Sequence, residues 1–186
     1  EQFLELAKDA DGIIVGVDVM DRAMMEQCPN LKVVCKFGGG TDNIDLEYAK
    51  ERGIYVGRTV GSNSIAVAEH VVALMFAESK NLYTSIRDVK NHGWNKPTGR
   101  EINGKTLGII GFGQIGKHLA QFAVGLGMKV LAYDVFEIPD EVAEQYHVTK
   151  ATQDEIIENS DFISLHVPLL DSTRDMISTN ELKRMK

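Results

Sequence analysis

Three glycines separate an apolar run from an amphipathic stretch in the segment LGIIGFGQIGKHLAQFA, residues 107–123. They are Gly111, Gly113 and Gly116, and their spacing, G-x-G-x-x-G, is typical of a strand-to-helix turn that binds the pyrophosphate of a dinucleotide. In such a turn the first glycine permits the tight bend, the second lets the backbone approach the phosphates, and the third lets the helix pack closely on the strand. The segment therefore predicts a strand, a phosphate-binding turn and a helix, in that order.

The residues after this segment favour NAD as the dinucleotide. The next apolar run, KVLAYD, ends at Asp134. This is about 20 residues beyond the first glycine, where an acidic side chain accepts hydrogen bonds from the adenosine ribose hydroxyls. Val135, Phe136 and Glu137 follow and offer no cation for a 2′-phosphate. We therefore expect NAD rather than NADP.

Short β-branched runs alternate with helical patterns, and strands separated by helices indicate parallel sheets. One helical pattern is unusually long and predicts a single helix from about residue 64 to 90. A loop rich in glycine, proline and asparagine follows it. We therefore expect an α/β protein of two parallel-sheet domains, with three strands before the long helix and three after it. The runs that predict strands are 12–17, 31–37, 53–58, 105–111, 129–134 and 161–167.

Composition and charge exclude several classes of function. The content of 44% hydrophobic and 25% charged residues is typical of a folded globular protein. A formal net charge of −7 without a basic run disfavours a nucleic-acid partner. No apolar stretch reaches the roughly 20 residues that span a bilayer. The two cysteines form neither a metal-binding nor a disulfide pattern, so we expect no metal and a cytoplasmic location.

Five ordered motifs resemble those of the D-isomer-specific 2-hydroxyacid dehydrogenases. They are CKFGGGTDNIDLEYAKERGI, GSNSIAVAEHVVALMF, GWNKPTGREINGKTLGIIGFGQIGKHLA, GMKVLAYD and DFISLHVPLLDSTRDMIS, and together they cover nearly the whole chain. The resemblance implies part of a flavodoxin-like substrate domain over residues 1–71. It also implies part of a Rossmann NAD-binding domain over residues 72–186, which the long helix enters.

The resemblance implies that the segment KFGGGTDN is a loop whose backbone N–H groups hold the carboxylate of a small anionic 2-hydroxy or 2-keto acid. Lys36 stands where many relatives have arginine, Arg58 replaces a common asparagine, and Val60 replaces a common proline. The two cations could serve a doubly anionic substrate, so phosphoglycerate is favoured, although both could instead be ordinary solvated side chains and the glycines a simple turn. The expected substrate contacts are Lys36, Gly38, Gly39, Gly40 and Arg58.

For the cofactor, the resemblance implies that Thr59 contacts the nicotinamide side of NAD. It also implies that the segment HVP borders the cofactor, so His166 is not the catalytic histidine. A second pattern, Y-x-x-x-K from Tyr146 to Lys150, matches the short-chain dehydrogenases, but we interpret that match as accidental. The expected cofactor contacts are Thr59, Gly111, Gly113, Gln114, Ile115, Gly116, Asp134, His166, Val167 and Pro168.

The family's reaction uses an arginine that anchors the carboxylate and a glutamate-assisted histidine that exchanges the hydroxyl proton. In relatives these residues follow a helix like TNELKRMK, and nothing in residues 1–186 replaces them. We therefore expect no catalytic residue in this chain, interpret it as an excerpt of a longer enzyme, and expect no turnover by the excerpt alone. The alternative function is a non-catalytic NAD-sensing module of the same fold, like the corepressors that share it.

The long helix also predicts a homodimer. Its apolar stripe of Ile65, Val72, Met75, Leu82 and Ile86 is joined by further apolar residues, which is more than one face against a single sheet needs. In relatives this helix and a following G-x-W segment, here Gly93 to Trp94, pack against a second subunit. The alternative is that the whole helix lies between two domains of one chain.

Overall fold

The computed structural model describes residues 2–186, and its contacts divide the chain into two units between Asn63 and Ser64. The three strands of the first unit are all parallel and lie in the order β1-β2-β3. Because a helix returns the chain between successive parallel strands, the carboxyl ends of all three strands meet at one edge of the sheet. The elements of this unit are α1 (Gln2–Ala7), β1 (Gly12–Val15), α2 (Arg22–Glu26), β2 (Val33–Lys36), α3 (Leu46–Glu51) and β3 (Tyr55–Arg58).

The first unit has its own apolar core and two capped helices. The side chains of Asp21 and Asp45 accept hydrogen bonds from backbone N–H groups in the first turns of α2 and α3, which fixes where these helices begin. Their buried faces pack on the sheet, and the core residues include Val15, Met20, Met25, Val34 and Ile54.

The second unit carries a four-stranded parallel sheet in the order β6-β5-β4-β7. The strand order reverses at β4, because β5 and β6 lie on one side of it and β7 on the other. In doubly wound sheets the ligand-binding crevice lies at such a reversal, outside the carboxyl ends of the strands. The elements are α4 (Ser64–Ser79), α5 (Leu82–Lys90), β4 (Thr106–Ile110), α6 (Gln114–Gly125), β5 (Lys129–Tyr133), α7 (Asp140–Gln145), β6 (Thr149–Lys150), α8 (Gln153–Asn159), β7 (Phe162–Leu165) and α9 (Thr179–Arg184).

The predicted single helix over residues 64–90 is wrong, because the structure forms two helices separated at Lys80 and Asn81. Asn81 adopts the left-handed conformation, with φ 53°, which asparagine tolerates better than most residues. The loop that follows α5 holds the break: the Asn81 side chain donates to the carbonyl of Thr98, and the N–H of Arg100 donates to the carbonyl of Ser79. These long-range contacts replace the helical hydrogen bonds that the pattern implied.

The prediction of three strands in the second half is also wrong, because the short strand β6 adds a fourth. Its two residues, Thr149 and Lys150, pair with Leu131 and Ala132 at the edge of the sheet. A strand of two polar residues has no apolar periodicity, so the sequence carried no signal for it. The predicted domain boundary at residues 71 and 72 falls within α4, whereas the contacts divide the chain at the start of that helix.

Candidate functional site

The glycine turn of the second unit joins the carboxyl end of β4 to α6. Gly111 adopts φ +98°, and a Cβ there would lie 2.6 Å from the carbonyl oxygen of His166. A Cβ on Gly116 would lie 2.5 Å from the carbonyl oxygen of Gly111. Because both distances are shorter than real Cβ contacts, neither position admits a side chain. The turn is therefore pressed against both its own helix and the end of β7.

Gly113 meets no such restriction and instead leaves an opening. It is the N-cap residue of α6, no side chain caps that helix, and a Cβ on Gly113 would have nothing within 4 Å. The first N–H groups of a helix have no acceptor within it, and together with the helix dipole they attract an anion. The N–H groups of Gln114 and Ile115 belong to this first turn. An uncapped helix start beside open space fits the pyrophosphate of NAD.

Asp134 directly follows β5 and holds the glycine turn in place. One carboxylate oxygen accepts a hydrogen bond from the N–H of Phe112 at 2.6 Å, and the other accepts from the N–H of Phe136 at 3.1 Å. The N–H of Gly111 donates in turn to the carbonyl of Tyr133 at 2.8 Å. Asp134 therefore lies beside the turn, and its bond to Phe112 is a positioning contact that spacing alone did not reveal.

The segment His166 to Pro168 follows β7 and lies against the same turn. The N–H of His166 donates to the carbonyl of Ile110 at 2.8 Å, and its ring Nε2 lies 2.9 Å from the hydroxyl of Ser164. Burial lowers the pKa of the His166 imidazole, so the ring is neutral at neutral pH. The carbonyl of Pro168 accepts a hydrogen bond from the hydroxyl of Thr173 at 2.5 Å, which ties the segment to the following turn.

The second candidate region is the glycine loop, Gly38 to Gly40, which follows β2 in the first unit. The N–H of Gly38 donates to the hydroxyl of Thr59 at 2.8 Å, so this N–H is not free for a ligand. The N–H of Thr59 donates back to the carbonyl of Gly38 at 3.1 Å. The N–H groups of Gly39 and Gly40 have no acceptor among residues 2–186. Two of the three predicted backbone donors are therefore available to bind an anion.

Lys36 ends β2 and is engaged within the protein. Its ammonium group donates to the carbonyl of Gly16 at 2.5 Å and to the side-chain oxygen of Asn43 at 2.6 Å. The amide nitrogen of Asn43 donates to the carbonyl of Asp18 at 2.5 Å and to that of Gly16 at 3.2 Å. Lys36 and Asn43 thus join the loop after β1 to the loop after β2. Sequence reasoning missed Asn43, because the two carbonyls that its amide group binds lie more than 20 residues away along the chain.

Arg58 ends the neighbouring strand β3 and reaches the same loop. Its guanidinium donates one hydrogen bond to the carbonyl of Gly39 at 3.1 Å, and the side chain is exposed. Among the described residues no carboxylate forms an ion pair with it. Arg58 therefore places an unpaired positive charge beside the two free N–H groups.

Other kinds of site find no support within residues 2–186. Tyr146 directly follows α7, His147 has φ 53°, and Lys150 lies on β6 in an ion pair with Asp140, so the Y-x-x-x-K residues do not share a helix face. In the same part of the chain no three metal-binding side chains cluster. None of its helices combines the length and the apolar character that crossing a membrane requires.

Comparison with known proteins identifies relatives of both regions. Residues 72–186 match the family model described as D-isomer specific 2-hydroxyacid dehydrogenase, NAD binding domain. The chain is 40% identical to D-3-phosphoglycerate dehydrogenase of Methanocaldococcus jannaschii, over all of this chain and 36% of that protein. It is 38% identical to glyoxylate reductase of Thermococcus litoralis, over 99% of this chain and 58% of that protein.

Solved structures agree with these relatives. D-lactate dehydrogenase from Aquifex aeolicus, complexed with NAD and lactic acid, superposes with a TM-score of 0.85 at 33% identity, covering 98% of this chain and 56% of that chain. The chain thus spans between about a third and three fifths of the length of these relatives. Their names include several different 2-hydroxy or 2-keto acids.

Proposed function

Because the chain belongs to the D-isomer-specific 2-hydroxyacid dehydrogenase family, we propose that the protein transfers hydride between C2 of a D-2-hydroxy acid and NAD, with D-3-phosphoglycerate as the substrate. Residues 72–186 match the model of the NAD-binding domain of this family. The observation that carries the proposal is the uncapped start of α6, beside Gly113 and next to Asp134, at the reversal of the strand order.

The residues of the second unit would hold NAD as follows. The N–H groups of Gly113, Gln114 and Ile115, at the start of α6, bind the pyrophosphate, and Asp134 accepts hydrogen bonds from the adenosine ribose. The segment from His166 to Pro168 borders the cofactor. When bound, NAD supplies the carbon that accepts or releases the hydride. The protein's part is to hold and orient this group.

The glycine loop would hold the substrate. The N–H groups of Gly39 and Gly40 bind its carboxylate, since both lack an acceptor among the described residues. The guanidinium of Arg58 lies beside them with its charge uncompensated, which supports a substrate that carries a second negative group. This pairing of a backbone anion site with an arginine is the reason to favour phosphoglycerate over lactate or glyoxylate.

The direct test is turnover by the product of the complete reading frame. NADH absorbance is followed during reduction of 3-phosphohydroxypyruvate, hydroxypyruvate, glyoxylate and pyruvate. We expect the highest kcat/KM with the phosphorylated substrate. A protein that binds NAD but turns over none of these acids would instead be a non-catalytic NAD-sensing module.

We also propose that the 186 residues alone do not turn over substrate. The histidine beside the glycine turn, His166, has a hydroxyl as its ring partner and not a carboxylate. A glutamate partner would stabilise the positive charge of a protonated imidazole. The neutral hydroxyl of Ser164 cannot do this. Assay of the 186-residue chain beside the full reading-frame product tests this directly. Steady turnover by the shorter chain would contradict the proposal.

We further propose a homodimer formed through α5 and the segment after it. None of the residues of α5 is buried within its own unit. Trp94 is 79% exposed, and the carboxylate of Asp88 accepts two hydrogen bonds from Asn95, which hold the turn that carries the tryptophan. Met75 of α4, by contrast, is buried in the core of its own unit, so it is not part of the surface proposed to form the dimer. Light scattering of the product of the complete reading frame at micromolar concentration should give the mass of a dimer. The substitution Trp94→Ala should weaken this dimer. The exposed apolar residues of α5 are Leu82, Tyr83, Ile86 and Val89.

A further inference from the structure

Two cations, Lys36 and Arg58, end neighbouring strands beside the glycine loop, but their surroundings differ. We propose that Arg58 binds the second negative group of a doubly anionic 2-hydroxy acid, whereas Lys36 acts with Asn43 as a positioning residue that holds the loop for any 2-hydroxy acid. The inference rests on the proposed function, since it assumes that the loop binds the substrate carboxylate. It assigns the preference for a doubly anionic substrate to Arg58 alone, although either cation could have supplied it.

The ammonium group of Lys36 is hydrogen-bonded within the protein. Two of its three ammonium protons point at the carbonyl of Gly16 and the side chain of Asn43, at 2.5 and 2.6 Å, and the side chain is half-buried. Turning this ammonium toward a ligand would leave the side-chain oxygen of Asn43 without its donor and the carbonyl of Gly16 with only the Asn43 amide, and hydrogen bonds lost in this way are costly. The ammonium therefore stays where it links the loops after β1 and β2.

Asn43 completes this link from the other side. Its amide donates to the carbonyls of Gly16 and Asp18 while its oxygen accepts from Lys36. The segment between Lys36 and Asn43 contains the three glycines, so fixing both ends restricts a stretch that would otherwise be mobile. Loss of either end should disorder the N–H groups of Gly39 and Gly40. The affinity for every ligand of the loop should then fall by the same factor.

Arg58 is in the opposite situation. It uses one guanidinium N–H on the carbonyl of Gly39, at 3.1 Å, and keeps the rest of its planar donor group exposed. Because an arginine can bind phosphate or carboxylate through two parallel hydrogen bonds, a second anionic group on the substrate has a matching partner here. A ligand without that group gains nothing from Arg58.

Two ligands that differ only in a phosphate separate these roles: D-glycerate and D-3-phosphoglycerate. Each is titrated at low ionic strength into the 15N-labelled 186-residue chain, and dissociation constants are read from the amide signals of Gly39 and Gly40. The variants are Arg58→Gln, Lys36→Met and Asn43→Ala, with Lys36→Arg as the rescue. Lys50→Gln is the charge control, since this exposed lysine lies near the end of α3, at the opposite edge of the sheet.

The expected results differ in kind. Arg58→Gln should raise the dissociation constant of D-3-phosphoglycerate about tenfold and so remove its advantage over D-glycerate. Lys36→Met and Asn43→Ala should weaken both ligands by the same factor, and Lys36→Arg should restore both. Asn43→Ala keeps both positive charges, so it decides the role of Lys36 even where Lys36→Met does not fold. Lys50→Gln should change neither constant.

Three results would overturn the inference. One is that Arg58→Gln weakens both ligands alike, which would make it a general anion contact. Another is that Lys36→Met or Asn43→Ala weakens D-3-phosphoglycerate selectively. The third is that neither ligand shifts the amide signals of Gly39 or Gly40 in the unaltered chain, which would show that this loop does not bind the substrate. NAD titrated into the same sample reports on Gly111 to Gly116 separately, so that failure is distinguishable from failure of the cofactor site.

Discussion

The two glycine-rich regions of this protein keep their shapes for different reasons. In the turn of the second unit, Gly111 and Gly116 are required by packing, because any side chain would meet backbone atoms at 2.6 and 2.5 Å. In the loop of the first unit, Gly38 has φ +140°, but a Cβ on Gly39 would have nothing within 4 Å and one on Gly40 would meet only the side chain of Asp42. That loop is held by side chains from elsewhere, those of Lys36, Asn43 and Thr59. One region is therefore sterically determined and the other is held by hydrogen bonds.

This difference predicts opposite responses to substitution. Changing a glycine should damage the turn most, whereas changing a polar side chain should damage the loop most. A sterically determined turn keeps its shape in the absence of ligand, which suits a group that must be bound in one orientation. A hydrogen-bonded loop can be retuned by single polar substitutions, which suits a family whose members act on different acids.

The largest effect is expected for Gly116→Ala. The added methyl group would lie 2.5 Å from the carbonyl of Gly111, so the helix must move off the strand. Overpacking of this kind costs about 1–3 kcal/mol, which lowers the melting temperature of the second unit by roughly 10 °C at the upper end. Gly113→Ala is the matched control, since it faces open space and should leave melting nearly unchanged while weakening NAD. Equal melting of the two variants would refute the steric account.

The second prediction concerns Asp134. Asp134→Ala removes the acceptor for the N–H of Phe112 and the acceptor proposed for the ribose hydroxyls. Hydrogen bonds to a charged group are worth about 1.5–3 kcal/mol, so NAD affinity should fall at least about tenfold. NADP affinity should fall less, because its 2′-phosphate cannot use the carboxylate. Calorimetric titration of both cofactors measures the difference, and an equal loss would argue against a role in reading the ribose.

The contrast between turn and loop also explains what the sequence could predict. The turn depends on local order, with a strand, three glycines at fixed spacing and a helix, and these signals lie within the 17 residues of the segment 107–123. The capping box of Ser178 and Glu181 at the start of α9 is equally local, since its two residues lie three positions apart. Features set by local residue order can therefore be predicted from the sequence.

The missed features depend on partners that are distant in sequence. The break at Asn81 is fixed by Thr98, and the position of Lys36 by Gly16, 20 residues before it. The periodic apolar pattern across residues 64–90 continued through the break, so it gave no warning. Contacts of this type follow from the fold and cannot be deduced from spacing.

A smaller effect is expected in the loop from Thr59→Val. Valine has the shape of threonine but cannot accept the hydrogen bond from the N–H of Gly38. The loss should be about 1 kcal/mol or less, since the group can bond to water instead. Hydrogen exchange of the Gly38 amide should accelerate, while the Phe112 amide in the turn stays protected. An unchanged Gly38 amide would show that backbone packing alone holds the loop.

The last effect depends on pH and should be confined to the second unit, which contains all five histidines. Burial lowers the pKa of His166 in the folded state, so the unfolded chain binds this proton more readily. The stability of the unit should therefore fall as pH decreases below the ordinary histidine pKa of about 6.5. Thermal melts between pH 7.5 and 5.5 test this, with His166→Gln as the variant that should flatten the slope. A steeper loss in the first unit would contradict it.

The measurement that tests the central claim most directly is titration of NAD into the 15N-labelled chain. The claim is that the turn from Gly111 to Gly116, together with Asp134, holds the cofactor. We predict that the largest saturable shifts occur at the amides of Gly113, Gln114 and Ile115, and that Gly113→Ala reduces the affinity without unfolding the unit. Saturable binding that leaves these amides unchanged would contradict the account, as would the absence of binding at millimolar NAD.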